Sequence, residues 1–209
     1  MSQNVAATSI KVAGAVVVLA LVTAYVVGVW PFAGKLEQVT ESQGEALVGG
    51  PFSLVDQTGR RVTEADFAGR SKLMFFGYTY CPDMCPLGLA TIAAAYDQLS
   101  AEEQQRVVPI FVTVDPERDT VEAIADYVDL FHPEMVGLTG TLEETAATAK
   151  AYRVYYRKAE SESSSEYLVD HSTFTYLMDG ENRYVTHFGH DAQPADLIEG
   201  IRRHLESAG

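Results

Sequence analysis

The chain has 209 residues, with 29 aspartates and glutamates against 15 lysines and arginines, a formal net charge of −14 at pH 7. That balance excludes a nucleic-acid binder or a domain that lies on an anionic membrane surface, and it favours a basic or cationic partner, a metal ion included. There are only 2 cysteines, and a domain of this size buries enough core to fold without a disulfide framework.

Residues 1–11 form a short tail. From Val12 to Trp30 no residue is charged, and valine, alanine and leucine dominate. As a helix at ~1.5 Å per residue this stretch reaches ~28 Å, close to the ~30 Å hydrocarbon thickness of a bilayer. It exceeds the ~7–15 residues of a secretory signal core, and Pro31-Phe32-Ala33 is a poor cleavage site, so it reads as an uncleaved single-pass anchor with Trp30 at the interface. Lys11 and the terminal amine on one side face Lys35 on the other, a thin margin for the positive-inside rule. These charges leave the orientation open; if the domain lies outside the cytoplasm, on the periplasmic or equivalent exported side of the inner (cytoplasmic) membrane, it sits where thiols tend to be oxidised. Residues 31–48, with Glu37, Glu41 and Glu45, read as an acidic linker, and Gly49-Gly50-Pro51 opens a single domain that runs to residue 209.

Within that domain Phe52-Ser53-Leu54-Val55-Asp56 alternates as a short strand, Thr58-Gly59 turns, and Arg61-Val62-Thr63 returns as its hairpin partner. Lys72 to Tyr78 is a near-continuous apolar run that predicts a central strand. Leu89, Ile92, Ala93, Tyr96 and Leu99 then recur at helical spacing, which sets Cys85 at or near the N-cap and Pro86 at the first helical position. Val107 to Val114 reads as the next buried strand. A helix follows with Val121, Ile124, Ala125 and Val128 facing inward, and Asp119 with Glu122 makes its expected capping pair. Val136 to Thr139 reads as a strand, Leu142 to Tyr152 as a helix, and the serine- and glutamate-rich Glu160 to Glu166 as an exposed loop. Phe174 to Met178, the Asp179-Gly180 turn and Tyr184 to Phe188 make a second hairpin, and Leu197, Ile198, Ile201 and Leu205 line a terminal helix. No internal repeat is visible. The order is that of a thioredoxin-like α/β sandwich with hairpin insertions.

The chemistry concentrates in Tyr80-Cys81-Pro82-Asp83-Met84-Cys85-Pro86, directly after the central strand. A disulfide across so short a loop would contribute at most ~2 kcal/mol, less than the ~3 of a fifteen-residue loop, so a structural staple is the poorer explanation. Metal capture and thiol–disulfide exchange both stand. Helix N-terminal N–H groups favour a thiolate, and Cys85 is expected to feel them most. Three intervening residues give a wider bite than a Cys-x-x-Cys pair, suited to a linear or trigonal Cu(I) held by two sulfurs. Asp83 between the cysteines opposes thiolate formation. His171, in Val169-Asp170-His171-Ser172, is a candidate third ligand, with Asp170 a candidate to orient its imidazole. A strand exit and a helix cap account for Asp115-Pro116-Glu117-Arg118-Asp119-Thr120. His187 and His190 offer an auxiliary metal site or, more simply, solvent-facing imidazoles, His204 reads as a helix-dipole partner, and Met84 offers a thioether or a packing side chain.

The segment from Phe76 to Pro86, the run Val114-Asp115-Pro116-Glu117-Arg118-Asp119-Thr120 and the triplet Asp170-His171-Ser172 together resemble the Sco/SenC/PrrC family of cytochrome c oxidase assembly proteins, over most of the chain from Pro51 to the terminal helix. The resemblance implies a membrane-tethered thioredoxin-like domain that binds one copper, Cu(I) or Cu(II), through Cys81, Cys85 and His171. It also implies partners: the copper-centre subunit of the oxidase, and a thiol reductant or copper donor protein. Two functions follow, a metallochaperone without turnover of its own and a thiol–disulfide reductase that uses Cys81 and Cys85 as its redox pair. A peroxidase fits less well, because Thr79 stands two residues before Cys81 rather than three. His171 discriminates best between the first two, since exchange needs only two thiols.

Overall fold

A computed structural model describes residues 48–159 and 167–207, together with Val22, Thr23 and Tyr25, which are helical and exposed. The rest of the expected anchor at 12–30, the linker up to residue 47 and the loop at 160–166 lie outside the described residues. Among the described residues no helix is long and apolar enough to cross a membrane.

A mixed seven-stranded sheet organises the domain, in the order β2-β1-β5-β4-β3-β8-β9. At its centre β3 (Ser71–Gly77) and β4 (Val107–Thr113) run parallel in register from Ser71 opposite Val107 to Gly77 opposite Thr113. Every residue of both strands is buried. That explains why they read as continuous apolar runs rather than alternating ones, as in a sheet covered on both faces. Successive side chains go to opposite faces. Phe75 meets the helix after β3 at Gly88, where a Cβ would lie 2.7 Å from its ring, while the Phe76 ring lies 5.4 Å from Tyr152.

The edges are antiparallel. β1 (Ser53–Asp56) pairs with β2 (Arg61–Thr63) as the expected hairpin and with β5 (Val136–Thr139), which itself runs parallel to β4. On the other side β8 (Thr175–Met178) joins β3 and forms the expected hairpin with β9 (Tyr184–Phe188). The helices are α1 (Met84–Asp97), α2 (Ala101–Arg106), α3 (Val121–Asp129), α4 (Leu142–Ala151) and α5 (Pro194–Ser207). α3 lies so close on β5 that a Cβ at Gly137 would come within 2.2 Å of Ile124.

Three local readings change. Thr120, not Asp119, caps α3, its hydroxyl accepting the Ala123 N–H at 3.2 Å. α1 begins at Met84 with Asp83 as N-cap, so Cys85 and Pro86 sit inside the first turn. Two strands not expected from the sequence, β6 (Tyr156–Lys158) and β7 (Val169–His171), form a separate two-stranded sheet with Tyr156 opposite His171.

Candidate metal centre

The central strand ends at Gly77, the chain turns through Tyr78 to Cys81 with the Cys81 N–H on the Tyr78 carbonyl at 3.2 Å, and α1 leaves the turn. Cys85 is fully buried beneath this turn. A Cβ on Gly77 would lie 2.6 Å from its Sγ, so only glycine leaves room for that sulfur. Asp119 fastens the turn from the other side. Its carboxylate accepts the Thr79 N–H at 3.1 Å, the Thr79 hydroxyl at 2.6 Å and the Thr113 hydroxyl at 2.5 Å, satisfying a group that burial pushes toward a higher pKa.

From the other direction, β7 brings His171 over the same spot. One donor atom each from Cys81, Cys85 and His171 lie within 4.8 Å of one another, a group able to hold a metal ion. His171 Nδ1 lies 2.9 Å from the Ser172 carbonyl oxygen. A carbonyl only accepts, so Nδ1 carries a hydrogen toward it, and Nε2 is the ring atom left facing the sulfurs. That Nε2 lies 3.3 Å from Cys85 Sγ. The ring stands edge-on to Tyr78 and Phe75, at centroid distances of 5.7 and 6.3 Å.

Both cysteines are free thiols, and their environments differ. The Cys81 sulfur accepts the Cys85 backbone N–H at 3.4 Å, filling one of the unpaired donors at the start of α1. The Cys85 thiol hydrogen-bonds to it, and His171 and the N–H groups of Asp83 and Cys85 add to this, so Cys81 is held far below the ordinary thiol pKa despite its partial burial. Cys85 goes the other way. The bond to the Cys81 sulfur, burial and the neighbouring negative charge all push its thiol up. The helix N-terminus therefore acts on Cys81 and not, as the sequence suggests, on Cys85. One donor atom from each of Cys81, Cys85 and His171 thus faces the same point, where a soft cation would find two sulfurs and an imidazole nitrogen.

Other sequence candidates lie elsewhere. The Asp170 side chain points away, 58% exposed and 3.6 Å from Arg157 Nη2, because strand alternation puts it on the face opposite His171. The Ser172 carbonyl orients the ring instead. His187 pairs with the Tyr184 hydroxyl at 2.5 Å, and Met84 and His190 line a small cavity with Phe75. Neither histidine joins a metal-ligand group among the described residues. His204 does lie in the last turn of α5, but it contacts the Ser71 hydroxyl at 3.1 Å and burial lowers its pKa, which works against a charged dipole partner. Gly77 and Asp119 are the supporting residues whose role the sequence reading missed. The only signal for Gly77 is a glycine closing an otherwise bulky buried strand.

The profile of the SCO1/SenC family matches residues 40–206. The mitochondrial SCO1 homolog 1 of Arabidopsis thaliana is 46% identical over 164 residues, 78% of this chain and 49% of that protein. SenC of Rhodobacter capsulatus is 42% identical over 162 residues, 78% of this chain and 72% of that one. The solved structure of Arabidopsis thaliana ScoI with copper bound has a TM-score of 0.69 and 43% identity, covering 77% of this chain and 99% of that chain. This chain spans about half the length of the first relative. With a family profile matched from residue 40 to residue 206, the chain belongs to the SCO1/SenC family.

Proposed function

We propose that this protein is a membrane-anchored copper metallochaperone for the dinuclear copper site of cytochrome c oxidase, holding one copper through Cys81, Cys85 and His171. In this reading residues 12–30 anchor it in the inner membrane, residues 31–48 are a linker, and the domain from residue 49 faces the periplasm or an equivalent exported space. Its partners are the copper-centre subunit of the oxidase and a protein that supplies copper or electrons. The observation that carries the proposal is the convergence of two thiols and an imidazole at one point of the fold. Two thiolates suit Cu(I), and an added imidazole suits Cu(II). The copper-bound relative at 43% identity supports the choice of metal, and the family resemblance supports the oxidase. Quantifying copper per protein tests it. The reduced domain should take one Cu(I), and the Cys81–Cys85 disulfide form should take none, because metal and disulfide use the same sulfurs.

A specific observation also favours thiol–disulfide exchange, namely the pairing of an accessible low-pKa Cys81 with a buried, protonated Cys85. The Cys81 thiolate would attack a partner disulfide and release one partner thiolate. Cys85, after giving up its proton, would then displace the second, leaving a Cys81–Cys85 disulfide and two electrons on the partner. Oxidase assembly in cells separates the readings. A His171→Ala change that leaves assembly intact while the cysteine changes abolish it would replace copper delivery with reduction.

A further inference from the structure

Between β4 and α3 the segment from Asp115 to Thr120 does more than leave a strand and start a helix. Asp115, 2% exposed, accepts hydrogen bonds from Arg118 Nε at 2.5 Å and from the Tyr167 hydroxyl at 2.6 Å. Arg118 Nη1 donates to the Tyr167 carbonyl oxygen at 2.9 Å. The same guanidinium lies 3.7 Å from the centre of the Tyr167 ring and 4.7 Å from that of Tyr80. Tyr80 adjoins Cys81, and Tyr167 stands two residues before the strand that carries His171. Lys158 of β6 adds a second tie to the same segment, an ion pair with Glu117.

This matters because, among the described residues, β6 and β7 pair only with each other, and a lone two-stranded hairpin is marginal in water. Its contacts with the rest of the domain therefore decide where His171 stands. A guanidinium can stack on a ring while its fork donates in two directions, which an ammonium cannot do.

We propose that Arg118 is a positioning residue. By bridging the Tyr167 and Tyr80 rings it sets the approach of His171 to the two sulfurs, and through that the strength with which the site holds Cu(II) as opposed to Cu(I). The inference rests on the copper reading above. It needs no contact between Arg118 and the metal.

The test uses Arg118→Met, Arg118→Lys and Tyr167→Phe, each read with and without copper. In metal-free protein, proton NMR contacts between the His171 and Tyr78 rings and the exchange rate of the Ser172 amide, bonded to the Tyr155 carbonyl at 2.9 Å, report the hairpin's place. Arg118→Met should lose the ring contacts, speed that exchange, and weaken Cu(II) ~10–100-fold, the range typical for loss of a group that orients a ligand. Cu(I) affinity and amide protection in β3 and β4 should stay at wild-type levels. Arg118→Lys should fall between wild type and Arg118→Met, and Tyr167→Phe, which keeps the ring, should show the smallest change. Wild-type ring contacts and exchange in Arg118→Met would overturn the proposal, as would equal losses of Cu(I) and Cu(II). If the wild-type domain itself took up no copper, the proposed function would fall, and the metal-free measurements would still decide the role of Arg118. Should Arg118→Met not fold, Arg118→Lys decides by the same readings.

Discussion

The two halves of the site are built differently. Cys85 sits in the first turn of α1 beneath the end of the central strand, fully buried, and its sulfur fits only because Gly77 has no side chain. His171 sits at the end of a three-residue strand whose single partner strand is outside the main sheet, and it is half-buried. Moving the sulfur means disturbing the core, whereas moving the histidine means shifting a hairpin held by a handful of side chains. In the proposed copper site, a core-embedded Cys85 sulfur and a separately mounted imidazole would set a more constant ligand beside a more adjustable one. That division matches what Cu(I) and Cu(II) ask of a site, since the first is content with two thiolates and the second takes further nitrogen or oxygen donors.

Breaking the fixed half should have the largest effect. Cys81→Ser and Cys85→Ser should each abolish stable Cu(I) loading in equilibrium dialysis against a Cu(I) chelator, and stoichiometric loading in either variant would remove the two-thiolate account. Next comes Gly77→Ala. Its Cβ would meet the Cys85 sulfur at 2.6 Å and the Phe111 ring at 3.1 Å, so it should destabilise the metal-free domain by ~1–3 kcal/mol in urea unfolding and weaken copper as the sulfur shifts. A variant as stable as wild type would show that the seat of Cys85 is looser than the packing indicates. The asymmetry of the thiols gives a smaller effect. A lowered pKa keeps Cys81 ionised as the pH falls, and a raised pKa keeps Cys85 protonated as it rises. At about pH 5, well below the ordinary thiol value of ~8.5, iodoacetamide should label Cys81 and spare Cys85, as peptide mass analysis would show. Equal labelling would contradict the asymmetry that the bond between the two sulfurs and the burial of Cys85 give the pair. Smallest of all is Asp170→Asn, which should leave copper binding within about twofold, because the side chain faces Arg157 and solvent; a loss of tenfold or more would put Asp170 back beside the imidazole.

The sequence showed the sheet centre clearly, because strands buried on both faces leave unbroken apolar runs at 73–76 and 107–112. The two cysteines and His171 were legible as chemistry, since soft donors at a strand exit have few structural uses and the three motifs occur together. The hairpin that presents His171 was not legible. Tyr156-Arg157-Lys158 is polar and largely exposed, so no apolar alternation marks it as a strand. Helix α2 was missed although Ser100 and Glu103 form a capping box, a signal hidden by the six residues it introduces, none of them buried. Asp119 was read as a helix cap because aspartate suits that role. Its actual partners are Thr79 in the turn after β3 and Thr113 at the end of β4, and only the fold brings them together. Which thiol the helix N-terminus serves was likewise a matter of how the turn closes, and spacing along the chain does not determine that.

The most direct test of the proposed copper site, two sulfurs with a separately mounted imidazole, is to measure Cu(I) and Cu(II) affinity side by side for the wild-type domain and His171→Ala. Loss of the imidazole should weaken Cu(II) by more than ~100-fold, beyond the range typical when only a group orienting a ligand is lost, and should remove the native thiolate-to-copper charge-transfer absorption. Cu(I) should weaken by less than about tenfold, and urea unfolding of the metal-free protein should change by no more than ~1 kcal/mol. Equal losses for the two oxidation states, or an unchanged Cu(II) affinity, would contradict the account.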